Sequence, residues 1–302
     1  MPRTNRGVFA INELPDLAER IQVGLLNVLE ERDVQIRGYK IRLPLDVMLV
    51  ASANPEDYTN RGRMITPLKD RFGAQIRTHY PLDVATEIKI ARQEAIMPDT
   101  ASDSSGLTIE VPAFMEELVA TFTHLARSSP QINQRSGVSV RLTVANLETM
   151  VAAATRRALR LGETEVVPRV SDMGALFASS AGKIEVETLE EGRDDEVIEH
   201  LLRGAILTVF KEHVSPESVR QVLDAFDADL TLSAGDDLPL CAYREMIGKH
   251  TALVAPVAGL VGESESDGVL ASAIELLLEG LHLSKRLNKD SVGGRASYRA
   301  RA

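Results

Sequence analysis

Tryptophan is absent from the 302 residues, cysteine occurs once, and aromatic residues make up only 4% of the chain. The lone Cys241 excludes an internal disulfide framework and fits a reducing compartment. With so few aromatic rings, any core must be built from Leu, Val, Ile and Ala. The 44% hydrophobic content is enough for that, in a chain long enough for two or three domains. No apolar run approaches the ~18–20 residues that a membrane helix needs. Met1–Gly7 (MPRTNRG) has no signal-peptide core. Positive charge is also short: 34 Lys and Arg face 44 Asp and Glu, a net charge of −10. That balance argues against a general binder of nucleic acid or anionic membranes. The six histidines show neither H-x-x-x-H nor Cys-paired spacing, so no zinc site is expected. One motif is missing as well: G-x-x-x-x-G-K-[ST], the phosphate-cradling loop, occurs nowhere in the sequence. A soluble, cytoplasmic protein is expected.

What is present begins with "GVFAINELPDL", residues 7–17. Val8–Ile11 reads as a buried strand that delivers Asn12 and Glu13 to its carboxyl end, with Pro15 opening a helix to about Glu31. "VQIRGYKIRL" alternates and predicts a hairpin over 34–43, with Gly38-Tyr39 as its loop and Ile36 opposite Ile41. Val47–Ala51 is continuously apolar, as in a strand covered on both faces. It ends at Ser52-Ala53-Asn54-Pro55. A short helix near Ile65–Phe72, a strand over Ala74–Tyr80 and a helix over Asp83–Ala95 complete an α/β region with a layered parallel sheet.

Beyond a polar, turn-rich stretch from Met97 to Leu107 the chain reads as helical. Helices are expected over Val111–Arg127, over Ser139–Leu161 with Ser139 as N-cap, and over Ser171–Lys183. Arg156, Arg157 and Arg160 are expected on the outer face of the second. The acidic segment Glu185–Glu196 reads as a solvated connection. Val197, Ile198, Leu201, Leu202, Ala205, Ile206, Val209 and Phe210 then form a helical stripe. Helices near 215–227, 240–255 and 268–287 predict a separate C-terminal bundle, and the small, basic end reads as disordered. The expected organisation is therefore 1–96 as an α/β core, 97–184 as an all-α lid, 185–289 as a C-terminal helical domain and 290–302 as a tail.

Ligands of open α/β sheets bind at the carboxyl ends of strands. Two strands deliver polar groups there, Glu13 from the first and Asn54 from Val47–Ala51. A carboxylate so placed can orient water for attack on a phosphoryl group, and an amide beside it can hold the same water. Taken alone, Glu13 also fits a helix-start charge favoured by the dipole.

The ordered set "GVFAINEL", a hairpin, "VMLVASANPEDY" and "PLKDRFG" resembles AAA+ ATPases of the magnesium-chelatase I-subunit and MoxR class over residues 5–185. The resemblance implies ATP and Mg²⁺ as cofactors, a homo-oligomeric ring, and Glu13 as the Walker B glutamate. It implies Asn54 as sensor 1 and Arg71 as the arginine finger reaching the neighbouring subunit's nucleotide. Arg61 and Arg63 compete with Arg71, whose plainer alternative is a surface pair with Asp70 or Asp83. Arg141, in "SVRLTVANLE", corresponds to the sensor-2 contact; ordinary solvent exposure is its alternative. The Walker B aspartate position is Asn12, which could serve Mg²⁺ only through a water and without charge.

By the same resemblance the ring would remodel or activate a partner with a von Willebrand A-type domain, for metal insertion or chaperone-like maturation. The chain would then be the part of the module from Walker B onward, inactive without a phosphate loop. A non-catalytic, truncated or pseudo-ATPase interaction subunit is the alternative. A sigma-54-type transcription activator ranks last, because no helix-turn-helix with a basic recognition helix is evident.

Overall fold

Two strands in parallel register open the fold: β1 (Gly7–Ile11) lies beside β4 (Val47–Ala51), Gly7 opposite Val47 and Ile11 opposite Ala51. A computed structural model describes residues 4–30, 34–36, 39–41, 46–54, 64–98, 106–133, 136–187, 193–228 and 230–301. It is a mixed α/β protein, mostly helical, that divides into two units at His79/Tyr80.

In the first unit, α1 (Glu19–Glu30) and the short α2 (Thr66–Lys69) close a small core on one face of the β1/β4 pair. Leu14, Leu25 and Leu68 are buried there, with Ile11, Leu17 and Ala51 against them. The helix begins later than Pro15, since Leu14–Asp16 forms a 3-10 turn first. Gln22 fixes that arrangement. Its amide donates to the Leu17 carbonyl at 2.9 Å and its oxygen accepts from the Ile65 N–H at 3.0 Å, while the residue is buried. A buried amide so satisfied holds three chain segments together.

No described residue covers the other face of the pair. Val8 (60% exposed), Met48 (66%) and Val50 alternate with inward-facing residues, so β4 is not covered on both sides as expected. The hairpin forms from β2 (Val34–Ile36) and β3 (Tyr39–Ile41), with Ile36 opposite Tyr39 rather than Ile41. The expected loop falls partly on residue 38, which with residue 37 lies outside the described residues. Residues 74–80 carry no strand: they have no ladder partner among the described residues. A strand exists only where a neighbour accepts its hydrogen bonds.

The second unit starts with α3 (Val84–Glu94), capped by Asp83, whose carboxylate accepts from the Thr86 N–H at 2.7 Å. Next come β5 (Thr108–Ile109), α4 (Ala113–Ser128) and α5 (Val140–Leu161). Ser139 caps α5 as expected, and Gly162 ends it in the left-handed region (φ 69°), where a Cβ would be strained. The short β6 (Glu165–Val166) pairs with β5, and α6 (Leu176–Ser180) follows a 3-10 turn. The expected stripe is α7 (Arg193–His213), and all eight of its apolar residues are buried.

α7 packs on α4, so the expected lid and C-terminal bundle are one body with one core, running from Ala91 to Tyr298. α3 belongs to it as well, which moves the division from 96/97 to 79/80. The remaining elements are α8 (Pro216–Asp227), β7 (Thr231–Gly235), α9 (Leu240–Lys249), α10 (Val254–Val261), α11 (Asp267–Leu283), β8 (Leu287–Val292) and β9 (Arg295–Ala300).

The C-terminal region is thus not all-helical. β9 lies between β7 and β8 in a three-stranded antiparallel sheet, in place of a disordered tail. Gly293 and Gly294 (φ 61° and 87°) make the turn that a tight hairpin requires. Tyr298 is buried and donates to Glu279 at 2.6 Å, which anchors the strand on α11.

Candidate functional site

The register of β1 and β4 carries one step past both strands. The Ser52 N–H donates to the Ile11 carbonyl, and the Leu14 N–H donates to the Ser52 carbonyl, each at 2.9 Å. Asn12 and Glu13 therefore stand beside Ser52, two residues from Asn54. The Ser52 hydroxyl joins both: it donates to Asn12 Oδ1 at 2.5 Å and accepts from the Glu13 N–H at 3.0 Å. Asn12, Ser52 and Asn54 are exposed, so a ligand can reach this edge.

Glu13 is held in an unusual state. Its backbone is left-handed (φ 51°, ψ 56°), which costs a non-glycine residue about 1–2 kcal/mol. Its Oε2 atom is shielded from solvent and bonds to no group among the described residues. A carboxylate oxygen in that condition is an acceptor awaiting a donor. Orienting a water, the expected role, needs a lone pair that is both free and reached by solvent, and Oε2 supplies the first of these. Asn12 meets its expected role less well, because the oxygen expected to serve a Mg²⁺-bound water already accepts from Ser52. One lone pair remains to it, and no charge. Among the described residues no three His, Cys, Asp or Glu side chains are grouped to hold a metal ion.

Arg71 is engaged away from this edge. Its guanidinium donates to Glu30, the last residue of α1, from Nε at 3.0 Å and Nη2 at 2.5 Å, and to the Pro67 carbonyl at 2.7 Å. The partner is thus neither Asp70 nor Asp83. Arg61 and Arg63 lie outside the described residues. Arg141, in the second unit, is exposed on the first turn of α5. Its N–H donates to the Ser139 cap at 3.2 Å, and its guanidinium has no partner among the described residues.

The expectation of three solubilising arginines on α5 fails at Arg157. That side chain is 3% exposed and bonds Asp172 and the Val167 carbonyl, tying α5 to the 3-10 turn at 170–175. Arg160 pairs with Asp236. Near them Arg169, fully buried, stacks on the Tyr243 ring at 4.9 Å and donates to the Leu238 carbonyl. Burial pushes the Tyr243 phenol up, with the Glu275 carboxylate beside it adding to the shift. Arg169 Nε and Nη2 and Glu163 Oε2 make no hydrogen bond among the described residues; Nη2 and Oε2 stand 3.6 Å apart as an ion pair.

Sequence reasoning missed Ser52 and Glu30. The signal for Ser52 was available: once β1 and β4 are aligned by their apolar runs, the first residue after each strand must meet the other. No protein-family model matches the chain, and no curated protein matches it.

Proposed function

We propose that this chain is part of an AAA+-type ATP-hydrolysing ring whose catalytic edge is formed by the ends of β1 and β4. The observation that supports this reading is Glu13, strained, shielded and unpartnered at Oε2, at the end of one strand and joined through Ser52 to the end of its parallel neighbour. Mg²⁺–ATP, when bound, supplies the phosphoryl group and the cation that neutralises its charge.

Within this reading Glu13 accepts a hydrogen bond from the attacking water and aims its lone pair. Asn54 donates an amide N–H to the same water or to a phosphoryl oxygen. Catalysis of this kind is mostly positioning and electrostatics, so few groups suffice. Arg71 would stabilise charge on a neighbouring protomer's nucleotide, and Arg141, by the same resemblance, would contact phosphate. Cradling the phosphates is work for a loop that these 302 residues do not contain, supplied by another segment or subunit. The ring would remodel a partner protein, with a von Willebrand A-type domain as the proposed partner class and metal insertion or maturation as the outcome.

A second reading, a non-catalytic interaction subunit, is favoured by the exposed Val8, Met48 and Val50 of β1/β4 and by the amide at Asn12. Turnover separates the two. Residues 1–302 alone should neither hydrolyse ATP nor bind it at micromolar concentrations. Joined to or mixed with a chain carrying the phosphate loop, they should hydrolyse it, and Glu13→Gln should lower turnover by ~10²-fold while nucleotide binding persists. Turnover within twofold of the parent would assign Glu13 to the helix start and favour the second reading.

A further inference from the structure

We infer that Ser52 is a positioning residue for hydrolysis, acting through Glu13; this rests on the reading just given. Four hydrogen bonds run between Ser52 and residues 11–14. Two are backbone bonds, to the Ile11 carbonyl and from the Leu14 N–H, and they extend the ladder. Any residue but proline could make those. The other two belong to the hydroxyl, which accepts from the Glu13 N–H and donates to Asn12 Oδ1.

The hydroxyl bonds fall where the chain departs from strand geometry. Glu13 is the single residue between β1 and the 3-10 turn that turns left-handed, and an L residue leaves that conformation unless something holds it. Its N–H is held by Ser52 Oγ, and the next N–H, at Leu14, by the Ser52 carbonyl. One residue on the neighbouring strand thus fixes both peptide units flanking the Glu13 Cα. The dihedrals there set where the carboxylate sits, and small displacements of an orienting base are costly in rate.

The bond to Asn12 has a second effect. Because a hydroxyl gives its single proton to Asn12 Oδ1, its lone pairs face the Glu13 N–H, so one bond orients the other. Asn12 becomes a support for the glutamate instead of a metal ligand. That accounts for an amide serving at this position, where an acceptor is wanted and charge is not.

The test uses an isosteric pair, Ser52→Thr and Ser52→Val, which differ by a hydroxyl against a methyl. In the 302-residue chain, amide exchange at Glu13 should be faster in the valine variant than in the parent, and parent-like in the threonine variant. In the nucleotide-competent assembly, Ser52→Val should lower kcat ~10-fold or more with KM for ATP within twofold, and Ser52→Thr should restore kcat. A kcat for Ser52→Val within twofold of the parent overturns the inference. So does a valine variant that unfolds while the threonine variant stays folded, since the hydroxyl would then serve stability. If Glu13→Gln itself leaves turnover intact, the hydrolysis reading fails and takes this inference with it. If Glu13→Gln abolishes turnover and Ser52→Val does not, only the inference fails.

Discussion

Arg71 and Glu30 are joined by two hydrogen bonds to a single carboxylate oxygen, Nε at 3.0 Å and Nη2 at 2.5 Å, across a gap of 41 residues. The pair is solvent-accessible on both sides, so it contributes little to stability, on the order of 1 kcal/mol or less. Its effect is to park the guanidinium at the C-terminal end of α1. A finger acting on a neighbour's nucleotide must exchange that carboxylate for phosphate, which is a favourable trade for a guanidinium fork.

Mixing two inactive variants tests the trans arrangement. Arg71→Ala and Glu13→Gln should each be dead in the assembled ring, and the mixture should regain part of the activity, with a maximum near equal ratio. An arginine finger can contribute ~10³-fold or more, so recovery should stand clear of background. Glu30→Gln, by contrast, should leave turnover undiminished and stability almost unchanged. Activity equal to the average of two dead enzymes, with subunit exchange confirmed, would remove Arg71 from the trans role.

Strain at Glu13 gives a prediction that needs no nucleotide. Glycine adopts the left-handed region freely, so Glu13→Gly should be more stable than Glu13→Ala by about 1 kcal/mol in thermal or denaturant unfolding. The glycine variant should nonetheless be inactive in the ring. Equal stability of the two would mean that the backbone at residue 13 relaxes once the side chain is gone.

Asp83 provides the pH dependence. Its carboxyl is held below the ordinary value by the hydrogen bond from the Thr86 N–H, then by the Thr86 hydroxyl. A folded-state pKa below the unfolded one stabilises at pH above the unfolded value, near 3.9, and that contribution disappears as pH falls through the folded value. The unfolding midpoint of the parent should therefore exceed that of Asp83→Ala at pH 6, with the gap narrowing below about pH 4. A gap independent of pH would assign the cap to shape alone.

Much of this architecture was legible because it follows from local rules. The stripe from Val197 to Phe210 and the cap Ser139 are decided within a few turns of chain, and the two apolar runs that become β1 and β4 announce themselves by composition. The failures have a common cause, which is dependence on distant partners. The arginines of α5 look alike in sequence, and only Asp172 and Val167 single out Arg157. Residues 74–80 have the composition of a strand but no neighbour to pair with among the described residues. Arg295–Ala300 is small and basic, and its order comes from Glu279 and β7, both far back in the chain. At the site, Glu13 and Asn54 were visible as polar residues at strand ends. The left-handed backbone of Glu13 and the Ser52 bridge depend on register, which periodicity suggests but does not fix.

The position of β9 also bears on how the molecule is made. Strand β7 is complete by Gly235, yet its partner Arg295 is translated only after α9, α10 and α11. At about 5–20 residues per second, β7 waits several seconds on the ribosome with its edge unpaired. Helices α4, α5 and α7 can assemble in that interval from contacts already in hand, whereas the sheet must close last. A stop codon or stall between Leu283 and Arg295 would therefore release a nascent chain that has all its helices and whose β7 edge is open to pairing with another copy.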